Sequence, residues 1–254
     1  IIETAERIVR IYGDRFLNMS EEERLKEFRT IALKEKLAAL KEDLEAFNVT
    51  YDEWFSEQTL HDANAIKNAC DLLTERGYLY EEGGALWLKA TEYGDDKDRV
   101  VIRDNGVPTY FAADIAYHQD KYARGFDRVI NLWGADHHGY IARMKAAVGA
   151  LGYHPDQLEV LILQMVSLYR NGEQVKMSKR TGQSVTLNEL IEEVGTDAAR
   201  FFFVMRSIDS QLDFDLTLAT EKSNENPVYY IQYAHARICS IMRQLDEAGI
   251  VVMP

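Results

Sequence analysis

Val175-Lys176-Met177-Ser178-Lys179-Arg180-Thr181-Gly182 is the stretch that decides how this chain is read. Its three cations, serine hydroxyl and glycine come after an apolar, strand-like run and the segment Arg170-Asn171-Gly172-Glu173. Asn-Gly supplies the positive φ angles of a tight hairpin turn. A short loop of this composition at the end of a strand suits a polyphosphate, because ammonium groups neutralise its charge and backbone N–H groups can approach its oxygens. The same composition also suits a plain solvated basic loop.

Around this loop, strands and helices alternate from residue 107 onward, which predicts an α/β fold with a parallel sheet. A helix opening at Thr109-Tyr110-Phe111 ends at Gly125, and Arg128 to Leu132 reads as a buried strand running into Gly134. The next helix runs to Leu151, with Gly152 as its C′ residue and Pro155 shortly beyond. Leu158 to Leu168 is strand-rich and leads to the basic loop. Beyond it, Thr186 and Glu189 form a capping box, Gly195 closes that helix, and Thr196 opens another.

The flanks differ in character. Residues 1–48 read as helical, with a Ser20/Glu23 capping box and an apolar stripe through Leu25, Phe28, Ala32, Leu37, Leu40, Leu44 and Phe47. Val49-Thr50-Tyr51 and Trp54-Phe55 are strand-like, and a helix over about 60–76 ends at Gly77. Glu81-Glu82-Gly83-Gly84 joins two short strands as a hairpin, and Val100 to Arg103 forms another strand. Near the end, Asn226-Pro227 fills the N-cap and N1 positions of a helix that stops at Gly249.

Composition sets outer bounds. The 254 residues carry a net charge of −13, which argues against a general nucleic-acid-coating surface and gives no reason to expect DNA. A local contact with one RNA stays open, and a cationic substrate suits an acidic protein. No apolar run is long enough to cross a bilayer, so no membrane role is expected. Cys70 and Cys239 lie far apart, as expected of small packed residues in a reduced, cytoplasmic protein. The chain starts Ile1-Ile2-Glu3-Thr4, without initiator Met or signal core, and reads as the middle of a longer one.

Ligands of open α/β sheets gather at strand ends, which singles out two more segments. Tyr110 and Asp114 are four apart and share a helix face, where a phenol and a carboxylate could hold a guanidinium. A half-buried tyrosine with an Asp favouring the helix N-terminus is the alternative. In Gly134-Ala135-Asp136-His137-His138, the glycine permits close approach of a nucleotide and the Asp can accept from ribose hydroxyls. Adjacent histidines point in different directions and no further ligand cluster stands nearby, so no metal site is expected.

The Lys-Met-Ser-Lys string resembles the signature loop of class I aminoacyl-tRNA synthetases, with Arg180 in place of the usual final serine. Its surroundings resemble arginyl-tRNA synthetases most closely, across nearly all of the chain. The resemblance implies that Lys179 stabilises the departing pyrophosphate, assisted by Lys176 and Ser178, with Met177 packing the loop. It implies that Tyr110 and Asp114 contact arginine, and that Gly134, Asp136 and His138 lie on the ATP side. His137 is a candidate for both. Gln164-Met165-Val166 would lie along adenine, making Met165 and Val166 ATP-side candidates.

The same resemblance reads 1–106 as a helical insertion with a hairpin region, 107–206 as the second half of a Rossmann-like catalytic domain, and 207–254 as a stem and the first helix of a truncated anticodon-binding helical bundle. On that first helix Tyr229, Tyr230 and Tyr233 suit base stacking or packing on further helices. No His-x-Gly-His motif occurs in the chain, so it looks like the downstream part of such a catalytic domain. The implied reaction joins L-arginine to tRNA(Arg) through an adenylate, using ATP accompanied by Mg²⁺, in a monomer. A non-catalytic nucleotide- or partner-binding relative, and a class I synthetase for another amino acid, remain the alternatives.

Overall fold

The computed structural model describes residues 2–175 and 185–250. The basic loop, including Lys176, Met177, Ser178 and Lys179, lies outside the described residues. In chain order, α1 (Ile2–Tyr12) and α2 (Glu21–Ala46) come first. The capping box of α2 forms as expected: the Ser20 side chain accepts from Glu23 N while the Glu23 carboxylate accepts from Ser20 N. The apolar stripe forms only in part: Phe28, Ala32 and Leu44 are half-buried and Phe28 packs edge-on against Phe16, while Leu25, Leu37 and Leu40 are exposed. Ile31, Leu33, Ala38 and Ala39 spread its apolar side chains around the whole circumference.

The strand-like reading of Val49–Tyr51 and Trp54–Phe55 is also corrected, since no strand forms there. The helix expected over 60–76 is two pieces, α3 (Gln58–Asp62) and α4 (Ala65–Glu75). Asn64 breaks them by adopting a left-handed conformation (φ 52°). Strands β1 (Leu79–Glu82), β2 (Ala85–Leu88) and β3 (Arg99–Ile102) form an antiparallel sheet. Gly83 and Gly84 take positive φ in its hairpin, as the two-residue turn requires.

Helix α5 (Tyr110–Ala123) comes next, then β4 (Val129–Gly134), a 3₁₀ turn (Ala135–Tyr140), α6 (Ile141–Ala150) and β5 (Leu158–Leu163). β4 and β5 pair in parallel with Gly134 opposite Leu163, so both strands end at the same edge. β4 is not the buried strand expected: it alternates, with Val129 and Asn131 buried and Ile130 and Leu132 exposed. The single strand-rich run 158–168 divides between β5 and β6 (Val166–Arg170), which belong to different sheets. β6 turns through Asn171 and Gly172, both at positive φ, into β7 (Glu173–Gln174). α7 (Leu187–Val194), α8 (Thr196–Val204), β8 (Leu212–Asp215), α9 (Leu216–Thr220) and α10 (Pro227–Glu247) complete the chain. β8 pairs in parallel with β6, placing Leu168 opposite Phe214.

These elements make two compact units. One is built from Glu53–Val175 and Phe202–Asp215 and holds the main core, in which Leu73, Leu88, Ile115, Met144 and Leu158 are fully buried. Within it, Phe202 and Phe203 pack on the buried Phe214. The other is built from the chain up to Asp52, the described part of Lys176–Phe201, and the chain from Leu216 onward. In it Leu190, Ala199, Leu216 and Val228 are buried, Arg200 donates to the carbonyls of Phe47 (2.9 Å) and Asn48 (3.0 Å), and Thr196 donates to Ala46 O. Asn226 caps α10 by accepting from Val228 N, and its amide donates to the carbonyls of Ala219 and Glu221.

Candidate active site

Thr109 sets the start of α5. Its hydroxyl oxygen accepts from Ala112 N and its O–H is shared between the carbonyls of Val100 and Val101, anchoring the helix start to β3. Tyr110 is therefore the first residue of α5, and Asp114 lies one turn later on the same face. Both line a cavity of about 460 Å³ in the unit built on Glu53–Val175, together with Tyr117, His118 and Lys121 of the same helix. Asn131 and Trp133 of β4 and His137 and Tyr140 of the 3₁₀ turn close it.

Asp114 is half-buried, and burial pushes its carboxyl above the usual range. The Tyr140 hydroxyl opposes that shift by donating to Asp114 Oδ2 at 2.7 Å. Tyr110 is 83% exposed, so its phenol stands at the mouth while Asp114 lies deeper.

Beneath Asp114 runs a hydrogen-bonded chain whose directions can be deduced. The Lys121 ammonium can only donate, so Asn131 Oδ1 (3.2 Å) is its acceptor. The Asn131 amide nitrogen then faces His118 Nε2 (2.8 Å) and donates to it. His118 must therefore carry its proton on Nδ1, which donates to the Asp114 carbonyl oxygen at 2.7 Å. Burial, reinforced by the Lys121 charge, pushes the His118 pKa down to about 4, consistent with this neutral tautomer. Lys121 itself is pushed below the usual lysine range, mainly by burial, and its ammonium sits 4.3 Å from the Tyr117 ring centroid.

The structure thus brings Tyr110, Asp114 and His137 to one cavity. Gly134, Asp136, His138, Met165 and Val166 are not among its lining residues. They occupy the carboxyl-terminal edge of the β4–β5 pair and the segments leaving that edge. Gly134 ends β4, and exposed Asp136 and His138 lie on the 3₁₀ turn. A Cβ at Gly134 would come within 2.7 Å of Asp136 Oδ1, so the glycine leaves room for that carboxylate to fold back. Met165 is 75% exposed between β5 and β6, and Val166 opens β6 half-buried. Asp136 Oδ2 is 3.6 Å from His137 Nε2, an ion pair only when the imidazole is protonated. Among the described residues no three His, Cys, Asp or Glu side chains cluster as metal ligands.

Sequence reasoning missed Tyr140, His118, Lys121 and Asn131. A signal existed for two of them: Asp114, His118 and Lys121 recur at i, i+4 and i+7 along an otherwise apolar helix face. Asn131 is a polar residue at an inward-facing strand position, which calls for a buried partner.

A parallel α/β core whose strand-end segments border a polar cavity is one on which class I synthetases build their catalytic domains. The chain belongs to that class: the family of class I (R) tRNA synthetase catalytic domains matches residues 12–208. Within it, the chain is 60% identical over 254 residues to the arginine–tRNA ligase of Carboxydothermus hydrogenoformans, covering all of this chain and 46% of that protein. It is 63% identical over 249 residues to the arginine–tRNA ligase of Desulforudis audaxviator, covering 98% and 44%. A crystal structure described as an arginyl-tRNA synthetase from Campylobacter jejuni superposes with a TM-score of 0.87 at 39% identity, over 98% of this chain and 53% of that one. The chain therefore spans about half the length of the curated relatives it matches. No helix among the described residues is long and apolar enough to cross a membrane.

Proposed function

We propose that this chain supplies the arginine pocket and part of the ATP site of an arginine–tRNA ligase of the cytoplasm. The observation that carries this reading is the cavity itself. A half-buried carboxylate, Asp114, faces a space whose mouth holds the Tyr110 phenol and whose rim holds His137. A guanidinium entering it meets an anion whose charge is kept by a hydrogen bond yet has little water around it, which strengthens the attraction. Family membership and the names of the relatives support arginine over other amino acids.

In this reading Gly134, Asp136, His138, Met165 and Val166 line the ATP side, and Lys176, Met177, Ser178 and Lys179 cover the phosphates. The arginine carboxylate oxygen attacks the α-phosphorus, a new P–O bond forms, and the bond to pyrophosphate breaks. Lys179 neutralises the charge growing on the leaving group, and Lys176 and Ser178 assist. The adenylate then acylates the end of tRNA(Arg). Mg²⁺ arrives with the nucleotide, held by its phosphates rather than by a dedicated protein cage. Residues 107–206 carry the chemistry, 1–106 form an insertion, 207–254 lead into the tRNA-binding region, and the protein works as a monomer.

The test is ATP–pyrophosphate exchange by the full-length protein in the presence of tRNA(Arg). Exchange should require arginine. Equal exchange with lysine, glutamate or cysteine, or none with arginine, would overturn the reading.

A further inference from the structure

We propose that Tyr140 is a positioning residue for the arginine pocket, holding Asp114 ionised and turned so that one carboxylate oxygen is left for the ligand. The proposal rests on the arginine reading of the cavity. Its basis is geometric. The phenol donates to Asp114 Oδ2 at 2.7 Å, and its ring is packed by residues of three other elements. Phe111 packs edge-on at 5.9 Å between centroids, and Trp133 does the same at 5.6 Å. The Arg143 guanidinium lies over the ring face, 4.7 Å from its centroid. Three elements thus fix one hydroxyl: α5 through Phe111, β4 through Trp133 and α6 through Arg143.

The hydroxyl is committed as a donor. Burial and the neighbouring Asp114 charge push the Tyr140 pKa far above the usual tyrosine range, so the phenol keeps its proton. A carboxylate that has lost water to burial favours its neutral form unless something donates to it. The groups facing Asp114 are few. Lys121 and His137 favour its charge and Glu57 opposes it, while Tyr140 is the side chain among the described residues that donates directly to it. With Oδ2 engaged, Oδ1 remains for a guanidinium N–H. The guanidinium then binds Asp114 through one oxygen, and the exposed Tyr110 hydroxyl offers a second contact at the mouth.

The experiment compares Tyr140→Phe with the unmodified full-length protein, reading the KM for arginine and for ATP across pH. Phenylalanine keeps the ring packing and deletes the donor. Arginine KM should rise roughly tenfold or more, as expected on losing a hydrogen bond to a charged group, with ATP KM unchanged. The acid limb of the arginine profile should move to higher pH, because the Asp114 carboxyl, no longer stabilised as the anion, protonates more easily. A merely structural residue would not move that limb. An NMR titration of the unliganded Asp114 carboxyl provides the second readout: its pKa should rise in Tyr140→Phe. With 3,5-difluorotyrosine at 140, a stronger donor, it should fall. Unchanged Asp114 titration in both variants, or an arginine KM that rises without any shift of the acid limb, overturns the proposal. Asp114→Asn is the control that separates the two claims. If it leaves arginine kinetics untouched, the arginine reading itself fails; if it alone impairs them, only the role of Tyr140 falls.

Discussion

Asp114 and His118 are joined twice over on α5: they stand one helical turn apart, and the His118 Nδ1–H donates to the Asp114 carbonyl at 2.7 Å. The imidazole's other nitrogen is held by Asn131, itself held by Lys121. The residue assigned to the ligand therefore sits on a backbone carbonyl pinned from another element, β4, as well as by its own helix. Such a string restricts how far the pocket floor can shift when a ligand enters.

That string makes stability depend on pH. His118 is 4% exposed and its folded pKa is about 4, below the value near 6.5 of an unfolded histidine. Above about pH 6.5 both states are neutral at this residue and its contribution is complete. As pH falls from about 6.5 towards 4 the unfolded chain takes up the proton first, so stability drops, by roughly 3 kcal/mol at pH 4. Urea unfolding at pH 7 and pH 5 should show about 2 kcal/mol of this loss, the remainder coming between pH 5 and 4, and His118→Gln should flatten the difference. An equal loss in the variant would mean that other groups carry the pH dependence.

Asp114→Asn in the full-length protein keeps the shape and removes the charge. Arginine-dependent catalysis should weaken by about 2–4 kcal/mol, the scale of breaking a partly buried charged hydrogen bond, while ATP affinity changes little. Steady-state kinetics with each substrate varied in turn decide the matter. If both parameters for arginine stayed at their original values, Asp114 would serve only the helix.

Lys179→Ala addresses the loop from which the sequence was first read. Charge builds on pyrophosphate mainly in the transition state, so the substitution should slow adenylate formation by about a hundredfold or more in kcat. ATP KM should move far less, and Lys176→Ala should have the smaller effect. Single-turnover measurement of the adenylate separates these outcomes. A raised ATP KM with kcat intact would make the loop a docking surface.

Gly149→Ala sets two effects against each other. Alanine at a helix interior favours the helix by about 1 kcal/mol over glycine. A Cβ there would overlap the ring carbons of Tyr93, which packs edge-on with Tyr78. Overpacking of this kind costs about 1–3 kcal/mol, so we expect net destabilisation and a lower melting temperature. Tyr93→Leu in the same background should recover part of it. A stabilised single variant would show that the ring moves aside freely.

What the sequence made legible were features governed by local chemistry. Asn171-Gly172 and Gly83-Gly84 turn where positive φ is needed, and Ser20/Glu23 and Thr186/Glu189 form capping boxes in both directions. The β/α alternation foretold the parallel pairs. Features set by competition among neighbours were not legible. Val49–Tyr51 has strand-forming residues but no strand to pair with, and Asn64 splits a helix whose apolar spacing runs straight through it. Of the pocket, the spacing of Tyr110 and Asp114 placed them on one helix face, but it was the resemblance to a family that read them as ligand contacts. Tyr140 and Asn131 did not announce themselves, because their partners come from other elements and only the fold brings them together.

The parallel pairing of β6 with β8 has a consequence for how the chain is made. β6 lies between β7 and β8, and β8 comes after α7 and α8 in the sequence. On the ribosome the β6–β7 hairpin therefore emerges with one side of β6 unpaired, and stays so until Leu212–Asp215 leaves the exit tunnel. Translation at about 5–20 residues per second makes that wait last seconds, during which the open edge can template a wrong strand. Phe214, fully buried opposite Leu168 once folded, arrives as the last piece of its layer. Nascent chains arrested with Leu212–Asp215 still inside the exit tunnel, and others arrested with it fully emerged, should differ sharply in protease resistance across Val166–Arg170.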